Sequence, residues 1–311
     1  MKILLVVDGS PYSDMATRML KALRLPSRTE VAVMTVVPEH TFLGGITLGK
    51  LRDASVKKEA QQQKAHDLLQ DAVQMLSTGR LKVEGVVRWG NPAKEILKLI
   101  EASGSSLVVM GAKGLTDPLA FRLGSVAQTV MRHARASVLL VREKSATTNQ
   151  ALPTKRKTAT IARVLLATDG SKYSDMVTQF LLDLPLLRQS QVIVMTALQS
   201  HLAAWVKTPT LDFQTNQEIL AMLQAAEESE ARKITAKVEK QFQTKGYKTT
   251  SVVVMGGAAE SILSAAEKYK PDIVALGSKG LTGIESLLLG SVAERVARYA
   301  NCSVLIGRAP R

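Results

Sequence analysis

With 311 residues, 46% of them apolar and 22% charged, the chain is long for one domain and sufficient for two, each able to bury a core without disulfides or structural metal. The aromatic content of 4% argues against a chain built on base-stacking platforms, and the single Cys302 excludes an intrachain disulfide and a thiolate cluster for zinc. The net charge of +14 divides into +8 over residues 1–142, +3 over 143–160 and +3 over 161–311, without a run of five basic residues, and so reads as a solvated basic surface suited to anionic partners.

The chain opens with "MKILLVVDGS", an apolar stretch too short to span a membrane and without a signal-cleavage pattern. A cytoplasmic protein with no membrane partner is the expectation. Residues 2–7 read as a strand buried on both faces that ends at Asp8-Gly9-Ser10. A helix is predicted after Ser13, with the Asp14 carboxylate in its first turn. "VAVMTVV" gives a second strand, Lys57 to Ser77 a long helix, "KVEGVV" a third strand, and a helix follows near Pro92. "SLVVMG" is the fourth strand, and it runs into the loop "GAKGLTDPLAFRLGS". A fourth helix and a last strand, "SVLLVR", complete the set.

After the polar join "EKSATTNQALPTKRKTAT" the same order recurs. "RVLLAT", "QVIVMTAL", "TTSVVVM", "DIVALG" and "SVLIGR" are strands, and Asn216 to Thr244 is the long helix. Its Ile219, Met222, Leu223, Ala226, Ile234 and Val238 recur at helical spacing and predict a core-facing stripe rather than a lipid-binding one. Residues 2–20 match 163–181 at 11 of 19 positions, and 107–142 match 273–308 at 18 of 36. A period near 160 residues means two homologous domains rather than a solenoid of small repeats. The expected boundaries are 1–143 and 161–311, with 144–160 as a linker. The fold class is α/β, two tandem Rossmann-like domains, each a five-stranded parallel sheet with helices on both faces. Sheets of this kind bind ligands at the carboxyl ends of their strands, where strand order reverses.

The loop after each fourth strand carries G-x2-G-x9-G-[ST]: Gly111, Gly114, Gly124, Ser125 in the first half and Gly277, Gly280, Gly290, Ser291 in the second. Glycine permits positive φ and close approach of backbone N–H groups to an anion, and the following helix offers its N-terminus to a phosphate. Ser125 either caps that helix or donates to a phosphate oxygen. Lys113 and Lys279 either add charge or are simply solvated. The alternative is that these glycines only turn the chain. No P-loop and no G-x-G-x-x-G after a first strand is present.

On Asp8 and Asp169, both glycine signatures and the five-strand alternation, the chain resembles the universal stress protein family in its tandem form. The resemblance implies an adenine nucleotide alpha hydrolase-like fold and a nucleotide ligand, ATP or else ADP or AMP, in a stress-response regulator. A Mg2+ or Mn2+ ion with the nucleotide is left open. It implies that Asp8 and Asp169 approach the ribose or metal-phosphate region. Gly111, Gly114, Gly124, Ser125 and Val126, and Gly277, Gly280, Gly290, Ser291 and Val292, would hold ribose and phosphates. Val36 and Ala197 would meet adenine through their backbone. It further implies that the halves pair through their last strands as a pseudo-dimer, with a homodimer as a further option. One departure is Asp117-Pro118, where the second loop has glycine: a carboxylate there repels a triphosphate unless a divalent ion intervenes.

Alternatives remain at this point: a slow ATP hydrolase, for which no water-activating base or arginine finger is evident; a nucleic-acid-associated protein acting through its basic first half and linker, the weaker reading; or a structural stress protein with empty loops. His40, His66, His133 and His201 lack metal-ligand spacing, and no catalytic residue is assigned.

Overall fold

The computed structural model describes residues 1–23, 25–38, 48–77, 81–114, 123–143, 161–184, 190–198, 213–281 and 289–308, the side chains of 48–57 and 213–216 excepted. The linker at 144–160, Asp117-Pro118, His40 and His201 lie outside the described residues. The chain separates into two compact units, Met1–Thr160 and Ile161–Arg308.

In the first unit the elements are β1 (Lys2–Val6), α1 (Pro11–Ala22), β2 (Glu30–Val37), α2 (Leu48–Leu76), β3 (Lys82–Trp89), α3 (Pro92–Ser103), β4 (Leu107–Gly111), α4 (Ser125–His133) and β5 (Ser137–Val141). The second repeats them as β6 (Arg163–Ala167), α5 (Lys172–Asp183), β7 (Gln191–Leu198), α6 (Phe213–Thr244), β8 (Lys248–Met255), α7 (Ala258–Tyr269), β9 (Ile273–Gly277), α8 (Ser291–Tyr299) and β10 (Ser303–Gly307). Strand order is β3-β2-β1-β4-β5 in one unit and β8-β7-β6-β9-β10 in the other, and the described pairings within each unit are parallel. The predicted Rossmann-like α/β architecture is what each unit adopts.

The apolar strand runs follow from this architecture. Helices cover both faces of the sheet, so Leu4, Leu5, Val108, Leu165 and Val274 are each fully buried, and every such side chain contributes about 1.5–3 kcal/mol.

Local chemistry sets the first helix of each unit. The Ser10 hydroxyl accepts from the Ser13 N–H at 3.2 Å, Pro11 fits the first helical position, and Asp14 complements the positive end. Ser171 does the same for the Ser174 N–H at 3.3 Å. The helix therefore begins at Pro11, earlier than the predicted start after Ser13, because the cap is Ser10.

The stripe on α6 departs from expectation. Val238 is buried and Ile234 packs toward Gly170, but Ile219, Met222, Leu223 and Ala226 are exposed. The reason is length: 32 residues of helix extend about 48 Å, whereas an eight-residue strand such as β7 covers about 26 Å. Helical spacing revealed an apolar face, but only its C-terminal part lies over the sheet.

One packing exchange distinguishes the units. Val141 closes β5 where α1 carries Ala16, whereas β10 ends in Gly307 against Val177 of α5. A Cβ at Gly307 would overlap the Val177 Cβ and stand 2.8 Å from its Cγ2. The larger residue has moved from strand to helix.

Candidate functional site

In the second unit β6 and β9 are neighbours, and the chain leaves their carboxyl ends in opposite directions, from β6 toward β7 and from β9 toward β10. A cavity of about 400 Å3 opens there, lined by the ends of β6, β7 and β9, the glycine loop, and the starts of α7 and α8. Asp169, Ala197, Gly277, Gly280, Gly290, Ser291 and Val292, all seven residues expected for this half, line it.

Asp169 is fixed from two sides. Its Oδ1 accepts from the Ser171 N–H at 3.0 Å, and its Oδ2 accepts from the Leu281 N–H at 3.1 Å. The first of these is reproduced in the other unit, where Asp8 Oδ1 accepts from the Ser10 N–H at 3.0 Å. Each carboxylate thus ties the first strand's end to the helix that follows it.

The signature glycines do not have the role that conformational freedom alone suggests. None of Gly111, Gly114, Gly124, Gly277, Gly280 and Gly290 has a positive φ; that conformation belongs to Gly9 and Gly170, beside the aspartates. The signature is steric instead, and its three positions answer to three neighbours. A Cβ on Gly277 would stand 2.8 Å from the Tyr173 carbonyl carbon, and one on Gly111 would stand 2.8 Å from the Tyr12 Cβ. These first glycines let α5 and α1 pack against the strand ends. A Cβ on Gly280 or Gly114 would stand 2.9 Å from Asp169 Oδ2 or Asp8 Oδ2. The second glycines leave room for the carboxylate. Gly290 and Gly124 meet loop backbone at 3.3 and 3.4 Å, and their N–H groups donate to Ser278 O at 2.8 Å and Ala112 O at 2.9 Å.

Gly124 and Gly290 are also the N-caps of α4 and α8, which places Ser125 and Ser291 at the first helical position rather than at the cap. A glycine cap has no side chain to accept from the first turn, so that end of each helix keeps its N–H groups and positive dipole end for another acceptor. The capping alternative for the two serines is thereby removed. Val126 and Val292 follow in the same turns. Lys279 lines the cavity with its Nζ 5.7 Å from the centre of the Tyr173 ring, and Lys113 stands 5.9 Å from that of Tyr12.

Register explains Val36 and Ala197. The Thr168 N–H donates to Met195 O at 2.8 Å and the Gly256 N–H to Leu198 O at 2.8 Å, so odd residues here direct their backbone groups toward β6 and even ones toward β8. The last β6 pair is Ala167 with Met195. Ala197 therefore turns its N–H and C=O to a side that β6 no longer covers. Val36 stands likewise beyond the end of β1, since the Val7 N–H donates to Met34 O at 2.9 Å.

Thr168, Ser174, Met195, Ala258, Ile262 and Leu276 also line the cavity and were not anticipated. Thr168 was the most readable of them, as the neighbour of Asp169 that differs from its counterpart Val7. Arg308, just past β10, has its pKa lowered by burial and does not line the cavity. Among the described residues no group of three or more His, Cys, Asp or Glu is placed to hold a metal ion, and no helix is long and apolar enough to cross a membrane. Cys302 is buried.

A family model described as the universal stress protein family matches residues 1–142 and, a second time, residues 160–308. The chain belongs to the universal stress protein family. A universal stress protein of Methanocaldococcus jannaschii is 40% identical over 94 residues, which cover 30% of this chain and 54% of that protein, about half its length. One from Mycobacterium tuberculosis is 25% identical over 252 residues, covering 80% of this chain and 77% of the relative. Among solved structures, a universal stress protein from Archaeoglobus fulgidus matches with a TM-score of 0.60 at 19% identity, covering 99% of this chain and 96% of that one. A functionally unknown protein from Pseudomonas aeruginosa matches with a TM-score of 0.62 at 15% identity, with coverages of 99% and 92%. At these identities the two structures show a shared fold. The double family match agrees with the internal repeat.

Proposed function

We propose that this universal stress protein binds an adenine nucleotide, ATP foremost, in the glycine cradle of each domain and acts as a stress-response regulator. The observation that carries the reading is the convergence of Asp169, Ala197, Gly277, Gly280, Gly290, Ser291 and Val292 on one cavity at the strand ends. Its volume of about 400 Å3 falls within the range of small-molecule sites. The uncovered N–H and C=O of Ala197 suit the edge of a base, Asp169 suits the ribose hydroxyls, and the start of α8 suits phosphate oxygens. Asp8, Val36, Gly111, Gly114, Gly124, Ser125 and Val126 repeat these parts in the first domain.

Among the described residues, Asp169 and Lys279 are the ionisable side chains lining the cavity. Both oxygens of Asp169 already accept hydrogen bonds, so binding and release fit the geometry better than turnover. A Mg2+ or Mn2+ ion would arrive with the phosphates, and Asp169 is the carboxylate at hand to join it. The domains take the boundaries 1–143 and 161–311, with 144–160 as linker. The duplication argues for a built-in pair acting as one pseudo-dimer in the cytoplasm, without nucleic acid as its ligand.

The test is mass spectrometry of ligand released from denatured, freshly purified protein, followed by calorimetry against ATP, ADP and AMP with Mg2+. Bound or titratable adenine nucleotide is expected, and Asp8→Ala and Asp169→Ala should each remove one site. Absence of binding at millimolar nucleotide overturns the reading.

A further inference from the structure

The two cradles share their glycines and aspartates but not the wall behind them. Ala167 closes β6 and Thr168 follows it, where Val6 closes β1 and Val7 follows it, and Ala197 on β7 takes the place of Val36 on β2. These are like positions in space as well as in sequence. Val6 pairs with Met34 as Ala167 pairs with Met195, and the next N–H donates to the same methionine carbonyl in each unit. Ala167, Thr168 and Ala197 all line the second cavity. Each Val-to-Ala difference withdraws two carbons from that wall.

Thr168 adds polarity. Its hydroxyl donates to Ser174 Oγ at 3.1 Å and accepts from the Gly170 N–H at 3.3 Å, while Ser174 Oγ donates to Ser171 O at 2.9 Å. Both hydroxyl protons are therefore committed within the protein, and each oxygen keeps acceptor capacity. Together with Asp169 they make this wall an acceptor surface, matched to ligand hydroxyl or amino groups. In the first unit Ser13 Oγ donates to Ser10 O at 2.9 Å in the same way, but Val7 offers it no hydroxyl.

We infer that the two nucleotide sites are unequal by construction: the second domain, with Ala167, Thr168 and Ala197, holds the tight site, and the first, narrowed by Val6, Val7 and Val36, holds the weak one. The inference rests on the nucleotide reading given above. The chain then fills in sequence, the second domain at low nucleotide concentration and the first at higher concentration. One polypeptide thereby responds at two thresholds. A pocket wall that differs by even one methylene changes affinity by about tenfold or more, so three differences are enough to separate the sites.

Calorimetric titration of the full chain with MgATP tests it. Two resolved steps are expected, with affinities at least about tenfold apart. Asp169→Ala should abolish the tight step and Asp8→Ala the weak one. Ala197→Val should weaken the tight step about tenfold, and Val36→Ala should tighten the weak one. Val7→Thr should act in the same direction as Val36→Ala, with Ser13 Oγ already in place to accept its proton. Unfolding midpoints identify any variant that fails to fold, and the pair Val36→Ala and Ala197→Val gives the answer independently of Val7→Thr. Two steps of equal affinity, a tight step lost with Asp8→Ala, or swaps that leave both affinities in place overturn the inference while leaving the nucleotide reading intact. No binding of MgATP at any step overturns the nucleotide reading itself.

Discussion

Replacing Gly277 by alanine separates packing from binding within the glycine signature. The added Cβ would stand 2.8 Å from the Tyr173 carbonyl carbon, 3.0 Å from the Ser174 nitrogen and 3.0 Å from the Tyr173 Cβ. Two of these three atoms are backbone in the first turn of α5, so no side-chain rotation relieves the overlap. The helix must recede by about 0.5 Å from a close-packed contact, and overpacking of this kind costs about 1–3 kcal/mol. Against it stands the smaller unfolded-state entropy of alanine, about 0.4–1 kcal/mol, because Gly277 has no positive φ and alanine can adopt its backbone. The net expectation is a loss of about 1–2 kcal/mol, or a fall of about 0.5–1 M in the urea midpoint for a domain of this size. The assay is urea unfolding followed by circular dichroism. Hydrogen exchange of the α5 amides assigns the change to the second domain, since a two-domain chain need not unfold in one step. An unchanged or raised midpoint would refute the steric account and return Gly277 to a purely ligand-facing role.

Gly280→Ala should behave in the opposite way: among the described residues its Cβ meets Asp169 Oδ2 alone, at 2.9 Å, so stability should move by less than about 1 kcal/mol while calorimetry shows nucleotide affinity at that site falling about tenfold. Gly307→Ala should lower the unfolding free energy by about 1–3 kcal/mol through overlap with Val177, and Val177→Ala should restore part of it by removing the Cγ2 contact. A double-mutant cycle measured by denaturation checks the coupling. Ser171→Ala removes the hydroxyl that accepts from the Ser174 N–H and should cost about 1 kcal/mol of stability. An equal loss from Ser10→Ala is expected, read from the same unfolding curves.

The fold was readable because burial on both faces of a strand leaves an unbroken apolar run, and "KILLVV" and "RVLLAT" are such runs. Repetition then constrained the architecture twice over. Pattern alone was weaker at element ends and on long helices. Ser10 and Pro11 open α1, but Asp-Gly-Ser-Pro also reads as an ordinary turn, so the letters alone put the helix start after Ser13. The α6 stripe satisfied helical spacing from Ile219 to Val238, yet periodicity reports that a face is apolar and not what covers it. Only the geometric length of the helix against the strands shows that Met222 lies past the sheet.

The candidate site was readable as a list of positions that converge on one cavity, but not as a set of causes. All seven residues expected in the second domain line one cavity, because a strand end and a glycine-rich helix start are bound to meet at the carboxyl edge of a parallel sheet. Their reasons for being glycine were not in the letters. Gly277 yields to helix backbone, Gly280 to a carboxylate and Gly290 to loop backbone at a helix cap, and none of the three needs positive φ. It follows that a loss of nucleotide affinity on mutating this signature would not by itself place a nucleotide in the cradle. A Gly277 variant reaches the cavity through a displaced α5, whereas a Gly280 variant reaches it through Asp169. Only measurements that pair affinity with stability separate the two, and the wall residues Thr168 and Ala197 probe the ligand more directly than the glycines do.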